Sequence, residues 1–135
     1  MNEKRPSINH LIVEFWCSKP RCKRKKLVDL LINVIKEIDS ELKAGPFIKG
    51  FRTDYGMAYT GIAVIGYSHV AVHTFPNNNP KGTDDKCYCQ WEFLTCGEEA
   101  DPSKAPGYLL KELNPKIINC ENISNILYSI KNSKK

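Results

Sequence analysis

The sequence predicts an α+β fold, a two-layer α/β sandwich in which two main helices cover one face of a mostly antiparallel sheet. Short apolar segments rich in β-branched and aromatic residues, separated by tight turns, predict the strands. Two segments with apolar residues at spacings of three and four predict the helices. The 135 residues match the usual length of one domain, so we expect residues 1–135 to form a single domain.

The first half of the chain begins with a strand and a helix. Residues 9–17 are rich in β-branched and aromatic side chains and predict a strand. Residues 26–42 place leucine, isoleucine and valine on one face, which predicts an amphipathic helix that ends at Gly45-Pro46. Three consecutive strands joined by tight turns are predicted at residues 47–53, 57–65 and 69–75.

The second half adds a strand, a helix and a last strand. Residues 77–86 contain three asparagines and two aspartates and predict an exposed loop, followed by a strand at residues 87–96. Asp101-Pro102 predicts the start of a second, shorter helix. Its buried stripe comprises three leucines, Leu109, Leu110 and Leu113. A last strand is predicted at residues 116–120 and a short terminal helix at residues 123–130.

Composition and charge exclude several classes of protein. Lys and Arg number 20 against 15 Asp and Glu, a formal charge of +5 that is far below the charge density of a dedicated nucleic-acid-binding domain. We therefore expect no nucleic-acid partner. The sequence shows no secretory signal and no apolar run near the ~20 residues of a membrane span. We expect no membrane partner and a cytoplasmic location, where thiols are kept reduced.

Six cysteines raise the question of a metal site. Cys17 and Cys22 are separated by four residues, and Cys87 and Cys89 form a C-x-C pair, so four thiolates are available to a zinc ion. This spacing matches the usual zinc-binding pairs poorly, so we predict no metal site and favour buried or free thiols. The basic run at residues 19–26, before the first helix, is interpreted as a solvated loop, with anion binding as the alternative.

A serine, a histidine and a cysteine near the predicted turns are candidates for nucleophilic chemistry. Ser68 lies in a turn before a strand, His73 follows five residues later, and Cys96 ends the next strand. On an extended chain Ser68 and His73 lie on opposite faces unless the turn brings them together. These residues leave two interpretations open: a nucleophilic site, or a turn serine with a small buried cysteine.

Four stretches of the sequence together resemble the small prokaryotic type of S-adenosylmethionine decarboxylase, a pyruvoyl-dependent family of polyamine synthesis. They are residues 10–15, residues 60–76 (TGIAVIGYSHVAVHTFP), residues 95–97, and residues 101–105 with Leu109 and Leu113. The second of these stretches is the specific one. The resemblance implies a self-processing decarboxylase that makes decarboxylated S-adenosylmethionine for spermidine synthesis.

The resemblance implies that Ser68 is consumed in activation. In the family the corresponding hydroxyl attacks the preceding carbonyl, here that of Tyr67, and the chain breaks between the two residues to leave a pyruvoyl group derived from Ser68. His73 matches the family's processing histidine, and Thr60 matches a hydroxyl residue that assists this step. Cys96 matches the acid that returns a proton to the product, while the pyruvoyl ketone serves as the electron sink.

The resemblance also implies a substrate site and a partner. Phe51 or Tyr55 corresponds to the aromatic residue that stacks on adenine, Asn77 takes the place of an acid that contacts the ribose, and Glu14 belongs to the substrate-binding set. We expect a homodimer in which both protomers line each site. Because Tyr67 replaces a glutamate and Asn77 an acid, two alternatives stay open. One is the same machinery acting on arginine or ornithine, and the other is an unprocessed homologue that binds a nucleotide-like ligand.

Overall fold

The computed structural model describes residues 7–76, 86–97, 100–115 and 118–122. The strands are β1 (Ile8–Ser18), β2 (Ala44–Thr53), β3 (Gly56–Ile65), β4 (Ser68–Pro76), β5 (Lys86–Cys96) and β6 (Ile118–Asn122), and the helices are α1 (Arg24–Glu37) and α2 (Ala105–Leu113). This is the predicted order of elements, with the last strand two residues later than predicted. The predicted terminal helix at 123–130 and all but the last residue of the predicted loop at 77–86 lie outside the described residues.

Within these ranges, six strands form one sheet in the order β2-β3-β4-β5-β1-β6, and every neighbouring pair is antiparallel. Strands β2 to β5 pair consecutively, and β5 then pairs with β1 along its whole length. Helices α1 and α2 pack into one core on the same side of the sheet, which confirms the α+β two-layer fold. Neither helix is long and apolar enough to cross a membrane.

Alternation of side chains along the strands gives the sheet one buried face and one open face. On β5 the odd-numbered residues from Cys87 to Thr95 are buried, and the rings of Trp91 and Phe93 stack with centroids 6.2 Å apart. Helix α1 adds five buried residues to the same core, namely Leu27, Leu30, Leu31, Val34 and Ile35. The even-numbered residues of β5 lie on the open face, which neither helix covers.

Helix α1 ends earlier than its apolar periodicity predicts. It ends at Glu37, and Asp39 adopts a left-handed conformation with φ 61°. The backbone N–H of Ser40 donates a hydrogen bond to the carbonyl of Ile35, five residues earlier, at 3.0 Å. This bond forms a Schellman-type cap. Leu42 packs against the core from the loop that follows the helix. Its position in the apolar pattern therefore reflects burial in the core and does not show that the helix continues to residue 42. The predicted stop at Gly45-Pro46 lies inside β2.

Helix α2 begins about one turn later than predicted. The Asp101 carboxylate accepts a hydrogen bond from the Ser103 N–H at 3.2 Å and caps a 3₁₀ turn at Pro102–Lys104, after which α2 begins. Pro106 and Gly107 lie in the first turn of this helix. A proline is tolerated there because its missing N–H has no partner within the helix.

Leu109 and Leu110 form a matched pair for testing the packing of α2. Leu109 is 1% exposed, whereas Leu110, which the sequence assigned to the buried stripe, is 47% exposed. We expect Leu109→Ala to lower the free energy of unfolding by about 2–5 kcal/mol, because it leaves a cavity in the core. Leu110→Ala should change it by less than about 0.5 kcal/mol. Denaturant unfolding measures both values, and equal losses would contradict this packing.

Candidate active site

A two-residue turn joins β3 to β4 and places a serine at the first position of a strand. Ile65 pairs with Ser68, so Gly66 and Tyr67 form the turn. Gly66 has φ +70°, a left-handed conformation that glycine adopts readily and that two-residue hairpin turns favour. The Tyr67 side chain is 89% exposed, whereas Ser68 is 4% exposed. The peptide bond between Tyr67 and Ser68 therefore connects an exposed turn to a buried strand.

Cys96, the last residue of β5, contacts both sides of this peptide bond. Its backbone N–H donates a hydrogen bond to Ser68 Oγ at 2.9 Å. Its thiol donates to the Tyr67 carbonyl oxygen at 3.4 Å. One partly exposed residue therefore holds a hydroxyl and the carbonyl directly before it. This arrangement can orient a nucleophile and stabilise charge on the carbonyl oxygen that it would attack.

Thr60 and His73 form a second group of polar residues, on the open face of the sheet. They are cross-strand partners, and Thr60 Oγ1 lies 3.2 Å from His73 Nδ1. The same row continues through Gln90 and Glu14, where Gln90 Nε2 donates to Glu14 Oε1 at 3.1 Å. Glu14, predicted to bind substrate, thus shares a row with Thr60 and His73, which were predicted to assist processing.

Within one chain, the structure keeps this row away from Ser68. His73 lies five residues along β4 from Ser68, a distance of about 17 Å in an extended strand. Ser68 belongs to the buried set of β4 and His73 to the open face. The turn precedes both residues, so it does not bring them together as the sequence allowed.

Three further polar residues on the open face were missed by sequence reasoning. Glu92 Oε1 lies 2.9 Å from His69 Nε2, and Glu92 Oε2 lies 3.2 Å from His10 Nε2. The His69 hydrogen bond is the main cause that lowers the pKa of the Glu92 carboxyl, aided by a smaller one from His10 and opposed by burial. These residues lie on three different strands, so no local motif connects them. The only sequence signal was the alternation of Gln90 and Glu92 with apolar residues.

The predicted adenine-stacking residues lie at and near the turn between β2 and β3. Phe51 is 50% exposed on β2, and Tyr55 is 46% exposed in the turn between β2 and β3. Phe51 is paired with Ala58, two positions along β3 from Thr60. Other exposed apolar residues on the open face include Phe47, Ile62 and Phe75. Asn77 lies outside the described residues.

A third group of reactive side chains lies at the opposite end of β5. The sulfur atoms of Cys17, Cys22 and Cys89 are 3.2 to 3.6 Å apart, although the sequence predicted no metal site. Seven residues of extended strand, about 23 Å, separate Cys89 from Cys96. This cluster is therefore not part of the site around Ser68.

The chain is similar in sequence to proteins of one known family. The chain matches the family model described as S-adenosylmethionine decarboxylase over residues 9–125. It is similar to the S-adenosylmethionine decarboxylase proenzyme of Pyrococcus abyssi, with 30% identity over 117 residues that cover 85% of this chain and 76% of that protein. The S-adenosylmethionine decarboxylase proenzyme of Bacillus cytotoxicus is 28% identical over 109 residues, which cover 79% of this chain and 75% of that protein.

A solved structure shows the same fold. The crystal structure of the adenosylmethionine decarboxylase from Aquifex aeolicus matches with a TM-score of 0.63 and 17% identity, over 88% of this chain and 90% of that chain. The family match spans all four stretches that carried the resemblance in the sequence, so the resemblance is confirmed. This chain belongs to the S-adenosylmethionine decarboxylase family, a family of carboxy-lyases.

Proposed function

We propose that this chain cleaves itself between Tyr67 and Ser68 and that the processed enzyme decarboxylates S-adenosylmethionine. The observation that carries the proposal is the pair of contacts from Cys96, at 2.9 Å to Ser68 Oγ and at 3.4 Å to the Tyr67 carbonyl. Membership of the family and the names of the relatives support the substrate.

Ser68 supplies the nucleophile of the cleavage step. Its Oγ attacks the Tyr67 carbonyl carbon, and the peptide C–N bond breaks as an ester C–O bond forms, with the proton passing to the Ser68 nitrogen. The thiol of Cys96 stabilises the negative charge that develops on the Tyr67 oxygen. Loss of the Ser68 α-proton then breaks the Cβ–Oγ bond, which releases Tyr67 as a C-terminal carboxylate and leaves dehydroalanine at position 68. Water hydrolyses the imine tautomer of this dehydroalanine, which releases ammonia and leaves a pyruvoyl group at position 68.

The tyrosine before the serine is compatible with this step. The family has a glutamate where this chain has Tyr67, but the atom that Ser68 attacks is the backbone carbonyl carbon. Because the Tyr67 side chain is 89% exposed, the replacement changes a group that points into solvent. The carbonyl keeps its hydrogen bond from Cys96.

The surroundings of Ser68 suit a small carbonyl group. Ser68 is buried, and the Cys96 N–H points at its side-chain oxygen, so a donor is in place for an oxygen atom held there. A pyruvoyl group supplies a ketone that condenses with the substrate α-amine and accepts electrons as carbon dioxide leaves. Thiols carry a transferable proton, and we assign to Cys96 the return of a proton to the product α-carbon.

Other residues of the chain suit the remaining parts of S-adenosylmethionine. We assign Phe51 and Tyr55 to stacking on the adenine ring, because each is aromatic and about half exposed. Glu14 and Glu92 add negative charge to the open face, which favours the positive sulfonium group. Asn77 is assigned to the ribose hydroxyls.

The functional unit is a homodimer with shared sites. Thr60 and His73 are too far from Ser68 to act on it within one chain, by about 17 Å of extended strand. The open face that carries them also exposes Phe47 and Phe75, whose burial would stabilise a second copy packed face to face. In this dimer the open faces of the two sheets pack against each other, related by a two-fold axis that runs between them and perpendicular to the strands. The Ser68 end of one sheet then lies over the His73 end of the other.

Self-cleavage is tested by intact mass spectrometry of the purified chain. The wild type should give two pieces, residues 1–67 and 68–135, while Ser68→Ala should remain one species of 15.4 kDa because it lacks the attacking hydroxyl. Ser103→Ala is the matched control, since it removes an exposed hydroxyl on the helix side and should leave cleavage intact. A single uncleaved wild-type species would defeat the proposal and favour an unprocessed homologue.

The shared site is tested by combining two inactive chains. Ser68→Ala and His73→Ala should each stay uncleaved alone, because one lacks the nucleophile and the other the processing histidine. When both are coexpressed with different tags, the His73→Ala chain should be cut, since its partner supplies the histidine. Mass spectrometry of each tagged chain measures this outcome. If coexpression restores no cleavage, the histidine does not act across the dimer.

The substrate is tested by carbon dioxide release from S-adenosylmethionine, arginine and ornithine. The processed wild type should act on S-adenosylmethionine and show no measurable release from the two amino acids. Cys96→Ala should still be cleaved, but more slowly, because the thiol that stabilises the Tyr67 oxygen is lost while the backbone N–H contact with Ser68 Oγ remains. It should also lose about 100-fold or more in turnover per cleaved chain, because a general acid contributes about 10²–10⁴-fold. Release from arginine or ornithine alone would overturn the substrate while leaving self-cleavage intact.

A further inference from the structure

We propose that Cys17, Cys22, Cys87 and Cys89 form a structural site for one zinc ion. The site involves none of the residues assigned to self-cleavage or decarboxylation, so it does not depend on the proposed function. All four cysteines are at least 96% buried, with exposures of 4%, 4%, 1% and 2% in chain order. They come from three elements, β1, β5 and the short 3₁₀ turn Lys19–Cys22 that precedes α1.

Sheet register and a turn bring the four thiols together. Cys17 on β1 is the direct cross-strand partner of Cys87 on β5, and Cys89 lies two residues along β5 on the same face. The 3₁₀ turn that begins after Ser18 folds back over the sheet and places Cys22 beside them. Spacings of four residues and one residue in the sequence therefore become one compact group in space.

Three of the four sulfur atoms lie at distances that approach those of a tetrahedral zinc site. Cys22 Sγ lies 3.2 Å from Cys17 Sγ and 3.3 Å from Cys89 Sγ, and the latter two are 3.6 Å apart. A Zn–S bond of about 2.3 Å in tetrahedral geometry gives sulfur–sulfur distances of about 3.8 Å. An outward movement of a few tenths of an ångström would therefore admit the ion. Cys87 lies directly opposite Cys17 in the sheet register, on the buried face of β5, and we assign it as the fourth ligand.

The contacts among the thiols agree with this assignment. Hydrogen bonds with Cys22 and then Cys89 lower the pKa of Cys17 and of Cys87 to about 4. Hydrogen bonds with the other cysteines raise the pKa of Cys22 and of Cys89, and the bond with Cys17 is the largest cause in both cases. Zinc binding would displace the protons of these thiols, because zinc binds cysteine as the thiolate.

The surrounding charge suits a tetrathiolate zinc centre, which carries a charge of about −2. Six cations lie among residues 19–26, and the first turn of α1 contains no acidic residue. Positive side chains at a helix N-terminus are unfavourable by themselves, because they oppose the helix dipole. An anionic metal centre beside this turn offsets that cost. The basic run therefore acquires a partner that the sequence alone did not identify.

An open cleft beside the cluster provides a route for the ion. It has a volume of about 510 Å³ and reaches both Cys22 and Cys87. Its rim carries lysines, an arginine and apolar side chains, among them Lys23, Met57 and Tyr59. A buried site with an entry path and no open coordination position is typical of structural zinc. Its expected role is to hold the start of α1 against β1 and β5.

The test measures metal in the full-length protein expressed with added zinc and purified under reducing conditions. Elemental mass spectrometry should find about one zinc per chain in the wild type. Cys22→Ser should hold at least tenfold less zinc, because it removes one of four ligands. Cys96→Ser is the matched control and should keep the full amount, since Cys96 lies at the other end of β5.

Two further measurements on the wild-type protein test the proposal if the Cys22→Ser chain fails to fold. Cobalt added to the wild-type protein after removal of zinc should give the intense visible bands of a tetrahedral thiolate site, and a strong chelator should lower the wild-type Tm. A metal-free wild type with four reactive buried thiols would overturn the proposal. So would a disulfide between Cys17 and Cys22, a bound iron centre in place of zinc, or unchanged zinc in folded Cys22→Ser.

Discussion

The antiparallel register of β5 with its two neighbours is the constraint on which the rest of the structure depends. At one end it brings the Cys96 N–H and thiol to the bond between Tyr67 and Ser68. At the other end it sets Cys87 opposite Cys17. Because side chains alternate between the faces, a slip of one residue would move each of these groups to the wrong side of the sheet. Both proposed sites therefore depend on the pairing of one strand.

The difference between the two faces of the sheet explains how a chain of 135 residues can support an enzyme. Helices α1 and α2 bury one face and supply the stability of the fold. The other face keeps polar groups such as Glu14, Glu92 and His73 beside exposed aromatic rings. A face of this composition is costly to leave in water and useful to share with a second sheet. The proposed dimer uses it as both interface and substrate site.

Much of the fold and part of the site could be predicted from the sequence, because both depend on local signals. Alternation and helical spacing predicted the order of elements, and a continuous motif contained Thr60, Ser68 and His73. The end of α1 was wrong because Leu42 reaches the core from a loop, while a left-handed Asp39 ends the helix. The triad of Glu92 with two histidines was missed because its members come from three strands.

The sequence by itself determined the fold class, the family and the candidate residues, since these follow from side-chain periodicity and from motifs contiguous along the chain. Only the tertiary structure decided which candidates meet. It joined Cys96 to Ser68, kept His73 on the other face, and gathered cysteines whose spacing had argued against a metal. The physical reason is that strand register and a short turn set distances between residues remote in sequence, and neither can be read from local spacing.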